Sequence, residues 1–98
     1  MKFKNQLELF NYIWETRPHE SELSGMNLLP KNHFQWHWQF LHILPKGTYP
    51  KYKLKPFNII LGLPSEHDQQ ESFPEFLEMK HKLTRQYYKE FYNKEFDN

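Results

Sequence analysis

Phe34-Gln35-Trp36-His37-Trp38-Gln39-Phe40-Leu41-His42 and, after a proline-broken interval, Asn58-Ile59-Ile60-Leu61-Gly62-Leu63 are the strings on which the fold turns. In the first, Phe34, Trp36, Trp38 and Phe40 alternate with Gln35, His37 and Gln39. That is the two-residue period of a half-buried strand. Val and Ile are sparse there, but aromatic side chains are also strand formers. His42 shares the parity of the aromatic row and is expected on the packed side, with Leu41 and Ile43 pointing the other way. The rings themselves read as core, because exposing them all as a stacking platform would leave little to fold around. The second string is a short apolar run, expected as a second buried strand.

Between the strings, Pro45, Gly47, Pro50 and Pro56 break regular structure. Tyr49, Tyr52 and Leu54 can pack this interval down as a compact surface loop. Beyond the second string, Pro64-Ser65-Glu66 reads as a helix start with Ser65 as cap, which would set His67 and Glu71 one turn apart on one face. Working outward, Asn5 and Glu8 form a variant capping box ahead of Leu7, Phe10, Ile13 and Trp14, so a helix is expected over about 5–16, ended by Pro18. Ser72 and Glu75, with Pro74 in the first turn, open a last helix over about 73–92. Its stripe is Phe76, Leu83, Tyr87 and Phe91, and the tail after Tyr92 is expected to fray. The expectation is one α+β domain over residues 1–98, with a strand-loop-strand-helix core at about 34–71 between two helices.

Composition narrows the function classes. With nine Phe, six Tyr and three Trp among 98 residues, a few large rings must supply much of the core. The chain has no cysteine, which removes disulfides, thiol nucleophiles and thiolate zinc sites together. Its three glycines leave no Gly-rich phosphate loop. No apolar run approaches the roughly 20 residues of a membrane span, and Met1 to Gln6 is followed by no apolar signal-peptide region. No membrane role is expected. The net charge of +1 is unevenly spread: four lysines and no acid lie from Lys46 to Lys55, and five acids and no lysine or arginine from Glu66 to Glu78. A basic loop beside an acidic segment is compatible with a nucleic-acid edge and a cation site, and equally with solvated surface.

Phe40-Leu41-His42-Ile43-Leu44-Pro45-Lys46-Gly47, Tyr49-Pro50, Asn58-Ile59-Ile60-Leu61 and Glu66-His67 together resemble the HNH, or His-Me finger, endonucleases of phage and bacterial type. Trp14-Glu15-Thr16-Arg17-Pro18-His19 and Ser24-Gly25 are similar to the lead-in of those proteins, so the resemblance spans residues 10 to 71. It implies a ββα-metal core, DNA as partner, and the cytoplasm of a bacterial or phage-infected cell. It implies His42 as general base, Asn58 as the residue that holds the loop and orients that imidazole, and His67 as metal ligand with Glu71 as a further one. The cofactor implied is a single divalent ion, Mg²⁺, Mn²⁺, Ni²⁺ or Zn²⁺. Lys46, Lys51, Lys53 and Lys55 are phosphate contacts or ordinary surface, and Arg17 is a phosphate ligand or a salt-bridge partner. Two departures are visible. Leu41 stands where many members carry Asp or His as first metal ligand. Cysteines that hold a structural zinc in relatives would fall near Glu20 to Glu22 and near Pro64 to Glu66, and none is there, so no structural zinc is expected. A catalytically degenerate scaffold that binds DNA, or occupies a protein partner as phage inhibitors do, is the alternative.

Overall fold

In the computed structural model, which describes residues 2–92, the first helix forms where its cap and stripe place it. α1 spans Gln6–Thr16; the Asn5 side chain accepts from Glu8 N at 2.9 Å, and Leu9, Phe10, Ile13 and Trp14 are buried. β1 (Phe40–His42) and β2 (Ile59–Leu61) then form an antiparallel pair. Their register sets Phe40 opposite Leu61, Leu41 opposite Ile60 and His42 opposite Ile59. α2 (Pro64–Asp68) follows directly, and α3 (Pro74–Tyr92) ends the described chain. The expected fraying beyond Tyr92 lies outside the described residues. Among these residues no helix is long and apolar enough to cross a membrane.

Strand alternation sorts the core into two clusters. Phe40, Ile59 and Leu61 face α1 and pack with Leu9, Phe10, Ile13, Trp14 and Trp36. Leu41, Ile43 and Ile60 face the other way and pack with Leu44, Tyr52, Phe76, Leu83 and Tyr87. The expected parity holds: Leu41 and Ile43 oppose Phe40, and His42 lies on the α1 side, its ring 6.4 Å from that of Phe10. Both faces of this small sheet are covered. Its outer edge is covered as well, since Glu22 N donates to Leu61 O at 2.7 Å and Leu61 N to Glu22 Oε2 at 2.7 Å.

The first strand is much shorter than its aromatic alternation suggests. Trp36–Gln39 is a 3₁₀ turn, in which residues three apart share a side. Trp36 and Gln39 are therefore buried, while Phe34 is 77% and Trp38 51% exposed. Gln39 decides the matter: its buried amide accepts from Leu29 N at 2.7 Å and donates to Leu29 O at 3.1 Å and Trp36 O at 3.3 Å. A side chain so bound to main chain on the inner side leaves no place for a strand whose even positions all face inward.

Two helix starts also differ in their caps. Glu66 Oε1, not Ser65, accepts from Leu63 N at 2.7 Å ahead of α2. Ser72 donates its hydroxyl to Gln69 O at 2.7 Å inside a separate 3₁₀ turn, Gln70–Ser72. α3 itself starts close to the expected position and buries Phe76, Leu83 and Tyr87.

Candidate functional site

His42 closes β1 at the mouth of the long loop. Its Nε2 lies 3.3 Å from Lys53 O, and the ring is half-buried. A carbonyl can only accept, so Nε2 carries the proton and the neutral imidazole keeps its free lone pair on Nδ1. Burial holds the pKa below the ordinary 6.5, opposed by the Lys53 carbonyl and assisted by the positive fields of Lys46 and His67. At neutral pH the ring is a proton acceptor.

Asn58 sets the loop that carries that carbonyl. The side chain is fully buried; Oδ1 accepts from Leu44 N at 2.8 Å, and Nδ2 donates to Leu44 O at 3.0 Å and Tyr52 O at 3.4 Å. Its own carbonyl accepts from Ile43 N at 2.8 Å, extending the β1–β2 pairing by one step. One amide thus ties both ends of the 44–52 excursion to the start of β2, and Lys53 follows immediately. Tyr52 adds an anchor to α3, donating its hydroxyl to Glu90 at 3.0 Å and accepting from Gln86 at 3.1 Å. Burial and the Glu90 carboxylate push its pKa up to about 12.

His67 lies on α2, close enough to His42 for their charges to interact, and is about half exposed. Glu71 does not share its helix. α2 ends at Asp68, Glu71 falls in the next 3₁₀ turn, and its carboxylate is paired with Lys80 of α3. The expected one-turn pair on a single helix face is therefore not formed, because five helical residues cannot carry a stripe through Glu71. Leu41 is fully buried against the α3 side. Among the described residues no group of three or more His, Cys, Asp or Glu side chains is gathered to hold a metal.

The basic residues divide. Arg17 is built into the fold: Nη1 donates to Ile59 O at 2.7 Å and Glu22 Oε2 at 2.9 Å, and Nη2 to Pro56 O at 2.8 Å. Of its two sequence readings, this is the geometry of the salt-bridge partner. Lys46, Lys51, Lys53 and Lys55 are all exposed. Lys51, Lys53 and Lys55 line a shallow cleft of about 220 Å³ with Lys2 and Phe3 from the N-terminus. Lys2, remote in sequence, carried no pattern that could have joined it to the loop.

Sequence reasoning also passed over a buried polar clasp. Ser21 donates to Glu66 Oε1 at 2.6 Å, and the same serine oxygen accepts from Leu23 N and Ser24 N at 3.1 Å. Burial alone would raise the Glu66 pKa, but hydrogen bonds from Ser21, Ser24 and Leu63 N outweigh it and lower the value. The only signal in the chain was a Ser21-Glu22 pair with nothing to connect it to Glu66. Comparisons with protein-family models, curated proteins and solved structures find no match to this chain.

Proposed function

We propose that the chain is a small metal-dependent DNA endonuclease on an HNH-type ββα core, with His42 as general base. The observation that carries this reading is His42 at the end of β1, its tautomer set by Lys53 O on a loop that Asn58 pins. His67, on the helix after β2, is its electrostatic neighbour. A second observation supports it. The two segments where relatives place zinc-binding cysteines meet here, joined by Ser21 and Glu66, so hydrogen bonds do the cross-linking that zinc does elsewhere.

In this reading Nδ1 of His42 takes a proton from water as the oxygen attacks the phosphorus. The P–O bond to the departing strand breaks, and that oxygen acquires a proton from solvent. The residues fit a metal only in part. His67 offers one nitrogen, and Glu71 is engaged by Lys80. An ion held by a single imidazole takes its other ligands from water and from the substrate phosphate, so loading would require substrate. When bound, it supplies positive charge to the scissile phosphate and the departing oxygen. Lys51, Lys53 and Lys55 would hold flanking phosphates, making affinity steeply salt-dependent.

The alternative, a scaffold that binds DNA or a protein without cleaving, is favoured by the burial of Leu41 at the usual ligand position. Supercoiled plasmid with Mg²⁺, Mn²⁺, Ni²⁺ or EDTA, wild type beside His42→Ala, separates them. Metal-dependent nicking that the substitution abolishes is expected, with the acid limb of the pH profile centred below 6.5. A salt-sensitive gel shift without nicking would establish the binding scaffold instead, and neither signal would leave a protein partner.

A further inference from the structure

Trp38 is, with Phe34, one of two exposed rings that the strand reading assigned to the core. It borders a cleft of about 550 Å³, whose walls are Gln35 and Trp38 on one side and Pro64, Ser65, His67 and Asp68 on the other. The two sides pack on each other, because α2 lies against the 36–39 turn. The volume falls within the range of small-ligand sites, roughly 300–1,000 Å³. Among the described residues the ring contact of Trp38 is an edge contact with His37, at 5.7 Å and 73°. Its indole face is not stacked on another ring.

The lining selects the occupant. Among the described residues neither lysine nor arginine borders the cleft, and Asp68 does, so a phosphate inside it would be repelled. An aromatic wall with an amide, a hydroxyl and a carboxylate beside it is what a flat heterocycle with donors and acceptors on its edge requires. His67 also lines the cleft and is the electrostatic neighbour of His42. The lysines lie outside this cleft, lining a different one. We infer that the cleft takes one unpaired nucleobase, stacked on Trp38, from a strand whose phosphates stay outside it. This rests on the nucleic-acid reading above and narrows its substrate: a base already paired and stacked in a duplex has no free face to give the indole, so unpaired or distorted DNA is preferred.

Trp14 and Trp36 are buried, so contact quenching by an added strand falls on Trp38, and the quenching lost in Trp38→Phe gives its share. The full chain is titrated at fixed salt with a short oligothymidylate, and then with a duplex of equal length. Quenching by the single strand is expected, and Trp38→Ala should bind it about tenfold more weakly by gel shift, with Trp38→Phe intermediate. An unchanged circular dichroism spectrum checks that this half-exposed position was not needed for folding. Equal affinity of Trp38→Ala and wild type for the single strand would overturn the inference. So would tight duplex binding with no quenching by the single strand, although metal-dependent nicking of plasmid would then still stand. Trp38-dependent binding without any nicking would do the reverse, keeping the base site and rejecting the nuclease.

Discussion

Around Asn58, a fully buried amide is matched on both sides to the main chain of the loop it closes, and the imidazole beside it has its tautomer set by that loop. Around His67 and Glu71, two exposed side chains lie on separate short elements; both border one open cleft, and Glu71 is also paired with a lysine. The strand side of the candidate site is organised before anything binds. The helix side offers groups but no assembled set. Burial explains the contrast: inside the sheet each unmatched polar atom would cost on the order of 1–3 kcal/mol, so the arrangement is enforced, whereas at the surface water satisfies any arrangement.

The largest test of this contrast is Leu41→Asp, which puts a carboxylate immediately before the proposed base, where the proposed reading would call for a metal ligand. Leu41 is fully buried, and a Cβ at Gly62 would lie only 3.2 Å from its Cδ2, so the space is closed on that side. Urea denaturation should show a loss of about 4 kcal/mol from the lost apolar packing and the buried carboxyl. Metal affinity by calorimetry should not rise. A stable variant that gained a metal would mean the strand side is less committed than its packing implies.

Asn58→Ala comes next, at about 3 kcal/mol, because Leu44 N, Leu44 O and Tyr52 O all lose their partner. Asn58→Asp should cost a similar amount, since a carboxylate cannot donate to the two carbonyls. Equilibrium unfolding of both variants gives the measurement. A loss below about 1 kcal/mol in either would show that water replaces the amide and that the loop is not pinned from within.

The same contrast separates what could be read in the chain from what could not. Strand parity around His42 and the apolar run at Ile59 were legible, because a β pair sorts side chains by sequence position alone. The role of Asn58 in holding the loop was only implied by the resemblance, because an asparagine after a proline-rich loop reads equally well as a turn residue. The aromatic row misled, since Trp36 and Phe40, four apart, fit a 3₁₀ turn running into a strand as well as they fit alternation. The Gln39 contacts with Leu29 that decide the question join residues 10 apart, across a segment with no periodicity. Glu71 misled for a related reason: helical spacing was assumed through residues where α2 had already ended. The carbonyl contacts of Arg17 and the Ser21–Glu66 clasp depend on partners 39 to 45 positions away, a separation that no local pattern reports.

Between the two regions lies Glu66, buried like Asn58 but titratable. Its lowered pKa means the carboxylate stabilises the fold above the ordinary 4.5, and that this contribution is lost as pH falls through the lower folded value. Glu66→Gln should reduce stability by about 1 kcal/mol at pH 7, the difference between a charge-assisted bond and a neutral one. It should also flatten the acid limb of stability against pH below about 4.5. His42 acts in the same sense in a higher pH window: its charged form is disfavoured in the fold, so stability declines as pH drops below 6.5. His42→Ala should remove that step and leave the Glu66 limb in place. If the acid limb survives Glu66→Gln unchanged, the clasp is not what senses pH.

The smallest effect should come from Glu71→Ala. Its ion pair with Lys80 joins side chains 59% and 31% exposed, and such pairs contribute about 0.5 kcal/mol or less. Thermal unfolding should barely move. The informative measurement is the Mg²⁺ or Mn²⁺ dependence of plasmid nicking, set beside that of His67→Ala. If His67 is the protein's metal ligand, its loss should raise the ion concentration needed for half-maximal rate, while Glu71→Ala leaves that concentration where it was. Should Glu71→Ala shift it as far as His67→Ala does, the Lys80 pair must open in the working complex. The exposed half of the site would then be assembled by the ion and its substrate, with the buried half around Asn58 serving as the fixed frame.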